Sequence, residues 1–168
     1  MDAVYSGTKV CCGEEFRVNG IVSECQKEII DIARTWIGTP FKSQSSVKGS
    51  GCDCVGLVRG VWREFYGKEE PEKLPPYQPY WFEIDHRDPL LNFGRRYLVD
   101  APIDKIMPSD VLVFRMREGA SAKHCGIVTS ADSMIHAYFG QAVFEVSLGN
   151  HWYRKIAAVL RFPCKEDS

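Results

Sequence analysis

An excess of charge is the first thing this sequence lacks: 21 Lys and Arg stand against 22 Asp and Glu, a formal net charge of −1 at pH 7. A chain so balanced has no field to draw it to nucleic acid or to an anionic membrane surface. Long apolar runs are missing too. None approaches the ~20 residues of a membrane-spanning helix, so no membrane insertion is expected. The opening stretch, MDAVYSGTKVCCGEEF, has no basic segment leading into an apolar core. It therefore does not read as a secretory signal, and the sequence predicts a product made in the cytoplasm. Internal repeats and low-complexity tracts are absent. So is the regular cysteine spacing of a disulfide framework: the seven cysteines (Cys11, Cys12, Cys25, Cys52, Cys54, Cys125, Cys164) are odd in number and irregularly placed. What remains is a chain of 168 residues, 45% apolar, long enough to bury the core of one soluble domain.

Residues 1–22 show weak periodicity and read as an N-terminal extension: a tail, a small hairpin or partly non-native sequence. The signal sharpens at Ser23, which with Gln26 matches an S-x-x-Q capping box. Ile29, Ile30, Ala33, Trp36 and Ile37 follow at helical spacing, and Gly38, Thr39 and Pro40 end the pattern. A polar loop, FKSQSSVKGSG, leads to Cys52-Asp53-Cys54. A second apolar stripe then begins, with Leu57, Val58, Val61, Trp62 and Phe65, and Gly67 as its stop. Residues 71–109, rich in proline and aromatics, read as an irregular excursion with one short helix around 89–98; Tyr77 to Phe82 would border a binding site. Five short β-type runs come last, at 111–116, 125–129, 133–138, 143–146 and 156–162. Helices followed by strands predict an α+β domain over 23–168, with N-terminal helices packed on a mainly antiparallel sheet.

Cys52-Asp53-Cys54 admits three chemistries. As zinc ligands, a C-x-C pair is a poorer bite than the usual C-x₂₋₄-C turn, so no metal site is expected. As a redox pair, it lacks the usual C-x-x-C spacing. As a nucleophile, Cys54 sits where the unpaired N–H groups and dipole of a helix N-terminus lower a thiol pKa and can hold an oxyanion. The four histidines are His86, His124, His136 and His151. His124 opens the strand HCGIVTS, and His136 follows at strand–turn–strand distance, so adjacent antiparallel strands would bring both imidazoles to one end of a sheet. Nucleophile, base and an orienting third group would then be present. Cys52 reads as a packed neighbour, with a regulatory disulfide to another thiol as its alternative, and Cys125, alternating with His124, should face the core. His86 and His151 read as solvated. Trp36, Trp62, Tyr77, Trp81 and Trp152 could wall a glycan cleft, with core packing the plainer reading for Trp36 and Trp62.

In ARTWIGTPF, GCDCVGLVRGVWREFYG, PSDVLVF, KHCGIV and MIHAYFGQAVFEV, the chain resembles the NlpC family of papain-like cell-wall cysteine peptidases. The likeness is to the small form carried by tailed phages and gene-transfer agents. D-C-x-G-L-V, then H-x-G-I-V, then I-H-A form a specific order. The resemblance implies a papain-like core with Cys54 as nucleophile, His124 as base and His136 as the orienting residue. It also implies that Asp53 recognises the free amine of the substrate peptide, with helix capping as its alternative. The implied reaction is cleavage of peptidoglycan stem peptides at the D-Glu–diamino-acid amide through a Cys54 thioester, without a cofactor. The implied setting is the cell wall, reached as part of a phage-like particle among tail-tip proteins. Phe41 stands where relatives carry Tyr, and Val55 where many carry Ser. Gln44 lies where the phage form tends to keep a glutamine that could supply an amide to the site. A wall-binding module without turnover, or an amidase or acyltransferase on another substrate, are the alternative readings.

Overall fold

A computed structural model describes residues 4–11, 14–70 and 88–164, with side chains from Val22 onward. Two antiparallel strands, β1 (Val4–Cys11) and β2 (Glu14–Ile21), pair from Val4↔Ile21 to Cys11↔Glu14. The hairpin is thus the form that the N-terminal stretch takes. Helix α1 (Glu24–Arg34) begins at the expected capping box: the Gln26 N–H donates to Ser23 Oγ and the Ser23 N–H to Gln26 Oε1. Ile29, Ile30 and Ala33 are buried along it. The helix ends earlier than the apolar spacing suggests, and Ile37 is 46% exposed rather than on the buried face. The chain turns there because Gly38, at φ 89°, redirects it onto the edge of the main sheet. The Gly38 N–H donates to the Val143 carbonyl, and the Val143 N–H to that of Thr39.

Two short strands, β3 (Ser46–Val47) and β4 (Gly51–Cys52), close the polar loop into a hairpin ahead of helix α2 (Cys54–Tyr66). Gly67 stops α2 at φ 65°, the left-handed cap its position predicted. The 71–109 excursion is described from Asp88 on; its helix is shorter than expected, Pro89–Gly94, and strand β5 (Val99–Ala101) follows. Tyr77, Trp81, the rest of the 77–82 stretch and His86 lie outside the described residues. Then come β6 (Val111–Phe114), β7 (His124–Ser130), β8 (Ser133–Ala137), β9 (Val143–Ser147) and β10 (Ile156–Arg161). They form one six-stranded sheet in the order β5-β10-β6-β7-β8-β9, antiparallel throughout.

Strand alternation divides the core in two. On one face, Val111, Val113, Ile127 and Ile135 meet Ile29, Ala33, Trp36, Leu57, Val61 and Phe65 of the helical layer. On the other, Leu112, Phe114, Val128 and Met134 pack with Leu148, Trp152 and Tyr153. Gly60 of α2 leaves room for the indole of Trp36, which stands in the turn after α1: a Cβ there would lie 2.0 Å from Trp36 Cζ2. Trp36 and Trp62 are both core residues as expected, Trp62 on the buried face of α2 and Trp36 from the turn that follows α1. This is an α+β fold with helices on a mainly antiparallel sheet. Among the described residues no helix is long and apolar enough to cross a membrane.

Candidate active site

Cys54 is the first residue of α2, and Asp53 is its N-cap. Asp53 Oδ1 accepts the Gly56 N–H at 2.8 Å, and Oδ2 accepts the Gln44 N–H at 2.7 Å. The carboxylate is 4% exposed, so it caps the helix and ties the preceding loop down at once. Gln44 reaches Asp53 through its backbone, at φ 59°, while its side chain is exposed outside the groove described below. Further along, Arg63 donates to the Ser46 carbonyl and Oγ, and Lys48 pairs with Glu64 at 2.6 Å. The loop is thereby fastened to α2 at both turns. Gly56 is a requirement of that contact, since a Cβ on it would fall 1.9 Å from the Ser45 carbonyl oxygen.

Cys54 is half-buried and lines one groove with His124, and Cys125 and His124 are the neighbours that act on its thiol. Both hold it well below the ordinary thiol range, the Cys125 bond most strongly and the His124 bond and charge next, against the opposing pull of burial. The converse holds for Cys125, which the bond to Cys54 and then burial push well up. Cys54 is thus the thiolate of the pair and Cys125 its S–H donor. Cys52 differs again. It is fully buried, and burial followed by the charges of Asp53 and Cys54 pushes its thiol up to about 12, so it holds its proton. The expectation that Cys52 is a packed neighbour matches this burial.

His124 Nε2 lies 2.8 Å from His136 Nδ1, which leaves His124 Nδ1 as the nitrogen for the thiol. The two histidines come from paired antiparallel strands, β7 and β8, as their spacing predicted. His136 is 1% exposed, and burial, then the neighbouring His124, push its pKa down to about 3. It is therefore a neutral acceptor for the His124 Nε2–H across the physiological range, with its own proton on Nε2. Around the pair stands an aromatic shell that the sequence did not disclose. Trp152 lies 5.5 Å from the His124 ring and 5.2 Å from the His136 ring, Phe114 stacks on His124 at 5.8 Å, and Phe144 lies 4.8 Å from His136. Trp152 thus backs the histidines rather than standing alone as a cleft wall. The other missed residue is Cys125: its inward direction was legible, its meeting with Cys54 was not. His151 is exposed, beside Lys155 Nζ at 3.0 Å.

A groove of about 290 Å³ opens over Cys54 and His124. Phe41, Ser43, Asp53, Val55, Lys123, Tyr138 and Phe139 are among its walls. Phe41 is held there by bridges of its segment to Cys52 and Ala142, and it meets Phe139 edge-on at 5.5 Å. Phe139 is 81% exposed at the lip. The arrangement supplies a stabilised thiolate, an imidazole positioned for proton transfer, a neutral histidine orienting it, and an open approach for an extended chain.

Residues 38–161 match the NlpC/P60 family. The probable endopeptidase NlpC of Escherichia coli K12 is 24% identical over 125 residues, covering 74% of this chain and 70% of that protein. The murein DD-endopeptidase/murein LD-carboxypeptidase MepS of the same strain is 22% identical over 132 residues, covering 79% of this chain and 60% of its own length. Among solved structures, an NlpC/P60 family protein from Bacillus cereus superposes with a TM-score of 0.59 at 16% identity, over 89% of this chain and 44% of that one. The NlpC/p60 domain of the peptidoglycan hydrolase SagA gives 0.53 at 18% identity, over 82% and 98%. The chain therefore spans less than two thirds of some of these relatives.

Proposed function

Because the chain belongs to the NlpC/P60 family and sets Cys54 on one groove with His124, itself hydrogen-bonded to His136, in a row of three, we propose that it is a cysteine endopeptidase acting on peptidoglycan stem peptides. The row itself carries the reading. A thiolate at a helix tip, an imidazole beside it and a 2.8 Å bond from that imidazole to a buried neutral histidine are the parts that acyl transfer needs. In this mechanism Cys54 Sγ attacks the scissile carbonyl carbon, and the Cys54 N–H at the head of α2 helps to hold the oxyanion. His124 gives its proton to the leaving amine as the C–N bond breaks, leaving a thioester on Cys54. It then takes a proton from water, and the resulting attack releases the acid and restores the thiolate. His136 keeps His124 turned so that Nδ1 faces sulfur throughout.

Within the stem peptide, the amide between D-Glu and the diamino acid is the bond we assign. Asp53, at the groove's edge, is assigned to the free amine of the substrate in addition to its capping role. Phe41 replaces a tyrosine hydroxyl with an apolar wall, and Gln44 acts on the groove through its backbone hold on Asp53. The motif set also supports a place in a phage-like tail or gene-transfer particle that meets the cell wall.

Mass spectrometry of purified muropeptides incubated with the protein tests activity and bond choice together. The expected result is two fragments divided at the D-Glu–diamino-acid amide, and none with Cys54→Ala. Equal cleavage by that variant would end the proposal. Tight muropeptide binding without turnover, despite a reactive Cys54, would move the reading to a wall-binding module.

A further inference from the structure

The row of Cys54, His124 and His136 ends on an atom without a polar partner. His136 Nδ1 lies 2.8 Å from His124 Nε2, but its own Nε2 is buried and meets no nitrogen or oxygen among the described residues. The tautomer of a histidine is ordinarily set by the hydrogen bonds of its two nitrogens. Here the bond to His124 serves either tautomer, so it chooses neither. The choice matters to catalysis. With the proton on Nε2, His136 accepts from His124 Nε2–H, and His124 can carry the second proton that an imidazolium needs. With the proton on Nδ1, His136 becomes the donor, His124 Nε2 must stay bare, and the imidazolium is blocked.

Aromatic rings surround the unpartnered nitrogen. Phe144 and Tyr138 are tilted against the His136 ring, at 56° and 44°. Trp152 stands perpendicular to it, at 88° and 5.2 Å, the setting in which an edge meets a face. Of the His136 ring, Nδ1 is taken by His124 and Cγ by its own backbone, so the edge left over carries Nε2. We propose that Trp152 is a positioning residue whose indole face receives the His136 Nε2–H and so selects the tautomer in which His124 can serve as acid and base. The face of an indole is electron-rich: it attracts an N–H and repels the lone pair that the other tautomer would turn towards it.

The same indole lies near parallel to His124, at 29° and 5.5 Å, so one side chain fixes both imidazoles at the 72° between them. A ring at that distance also favours the positive form of His124. Trp152 is steadied in turn by Phe114, at 4.9 Å, and by the short helix Asn150–Tyr153 that carries it. It is not among the groove walls, so it acts through the histidines and not on substrate. Its effect on rate rests on the hydrolase reading; the tautomer does not.

The test is a long-range proton–nitrogen correlation spectrum of the full-length protein, labelled with nitrogen-15 in its imidazoles, at pH 7. His136 should appear with its proton on Nε2, shifted upfield by the indole ring current, with a nuclear Overhauser contact to the Trp152 ring. Trp152→Leu should abolish the upfield shift and mix the two tautomers. Its kcat on stem peptides should fall roughly 10- to 100-fold, part of the ~10²–10⁴ that acid–base catalysis supplies, with KM little changed. Trp152→Phe restores a face and should recover both the shift and most of the rate, which a loss of general stability would not explain. A parent spectrum with His136 protonated on Nδ1 would overturn the proposal. An upfield signal that survives Trp152→Leu would do the same. The parent spectrum decides even if the leucine variant does not fold. Should the parent cleave no stem peptide, the hydrolase reading fails and the spectra still judge the tautomer.

Discussion

Replacing Asp53 with asparagine separates a structural from a substrate-binding carboxylate. Both oxygens of Asp53 accept backbone N–H groups, from Gly56 at 2.8 Å and from Gln44 at 2.7 Å, in a setting 4% exposed. Asparagine is a good N-cap in general, but here it has one carbonyl oxygen for two donors. Whichever way the amide turns, its NH₂ faces an N–H, and one buried donor loses its acceptor at ~1–3 kcal/mol. Loss of the negative charge at the head of α2 adds ~0.3–1 kcal/mol. The expected cost of Asp53→Asn is therefore ~1.5–4 kcal/mol, a fall in Tm of roughly 3–15 °C for a domain of this size. Asp53→Ala, which strands both donors, should fall further. Thermal unfolding followed by circular dichroism at pH 7 reads both variants. If Asp53→Asn kept its Tm within about 1 °C, the capping and loop-tethering account would be wrong. Below the transition, a rise in KM for stem peptides with a free amine, but not for their N-acylated forms, would mark the second role of the same carboxylate.

Two further outcomes follow from buried groups. His136 titrates at about 3 in the folded protein, against ~6.5 for an unperturbed imidazole. Below pH ~6.5 the unfolded chain binds a proton that the folded chain refuses, so stability falls as pH drops towards 3, by about 2.5 kcal/mol at pH 4.5. Urea denaturation across pH should show this limb, and His136→Phe should flatten it while lowering kcat by ~10²–10⁴-fold; an unchanged limb in the variant would refute the assignment. Gly60→Ala drives a Cβ to 2.0 Å from Trp36 Cζ2 and should cost ~1–3 kcal/mol by urea denaturation. It should also pull the Trp36 Nε1–H from Glu64, which it now meets at 2.8 Å, with a change in tryptophan fluorescence.

Local signals carried most of the fold because they are physically local. The Ser23–Gln26 box, the Leu57 and Val61 stripe and the Gly67 stop each depend on residues within a few positions, and the structure has all three. α1 ends before its apolar spacing does because the competing interaction is remote. Gly38 and Thr39 pair with Val143, far along the chain and in another layer, and that edge pairing removes Ile37 from the buried face. Strand β5 pairs only at Ala101, Asp100 and Val99 with β10 and has an exposed, charged pattern, so nothing in its own residues announced it. Trp152 belongs to a short helix after β9, and only the folded chain brings it against two imidazoles.

The cysteine pair shows how one strand can supply two different partners to one sulfur. Along β7, consecutive side chains point to opposite faces: His124 joins Phe114 and Trp152, whereas Cys125 joins the helical layer. In the middle of a strand no third group could meet both. His124, however, is the first residue of β7, and Cys54 is the first residue of α2, so the thiol lies off the end of the sheet. There His124, from one face of the strand, and Cys125, from the other, both lower its pKa. Alternation predicted that Cys125 faces away from His124, and it does. That the two still converge on Cys54 follows from where the strand and helix begin, which alternation alone leaves open. Moving either start by one residue would turn the wrong side chain towards the sulfur, so the lengths of the loops before Asp53 and before His124 are as much a part of the site as its side chains.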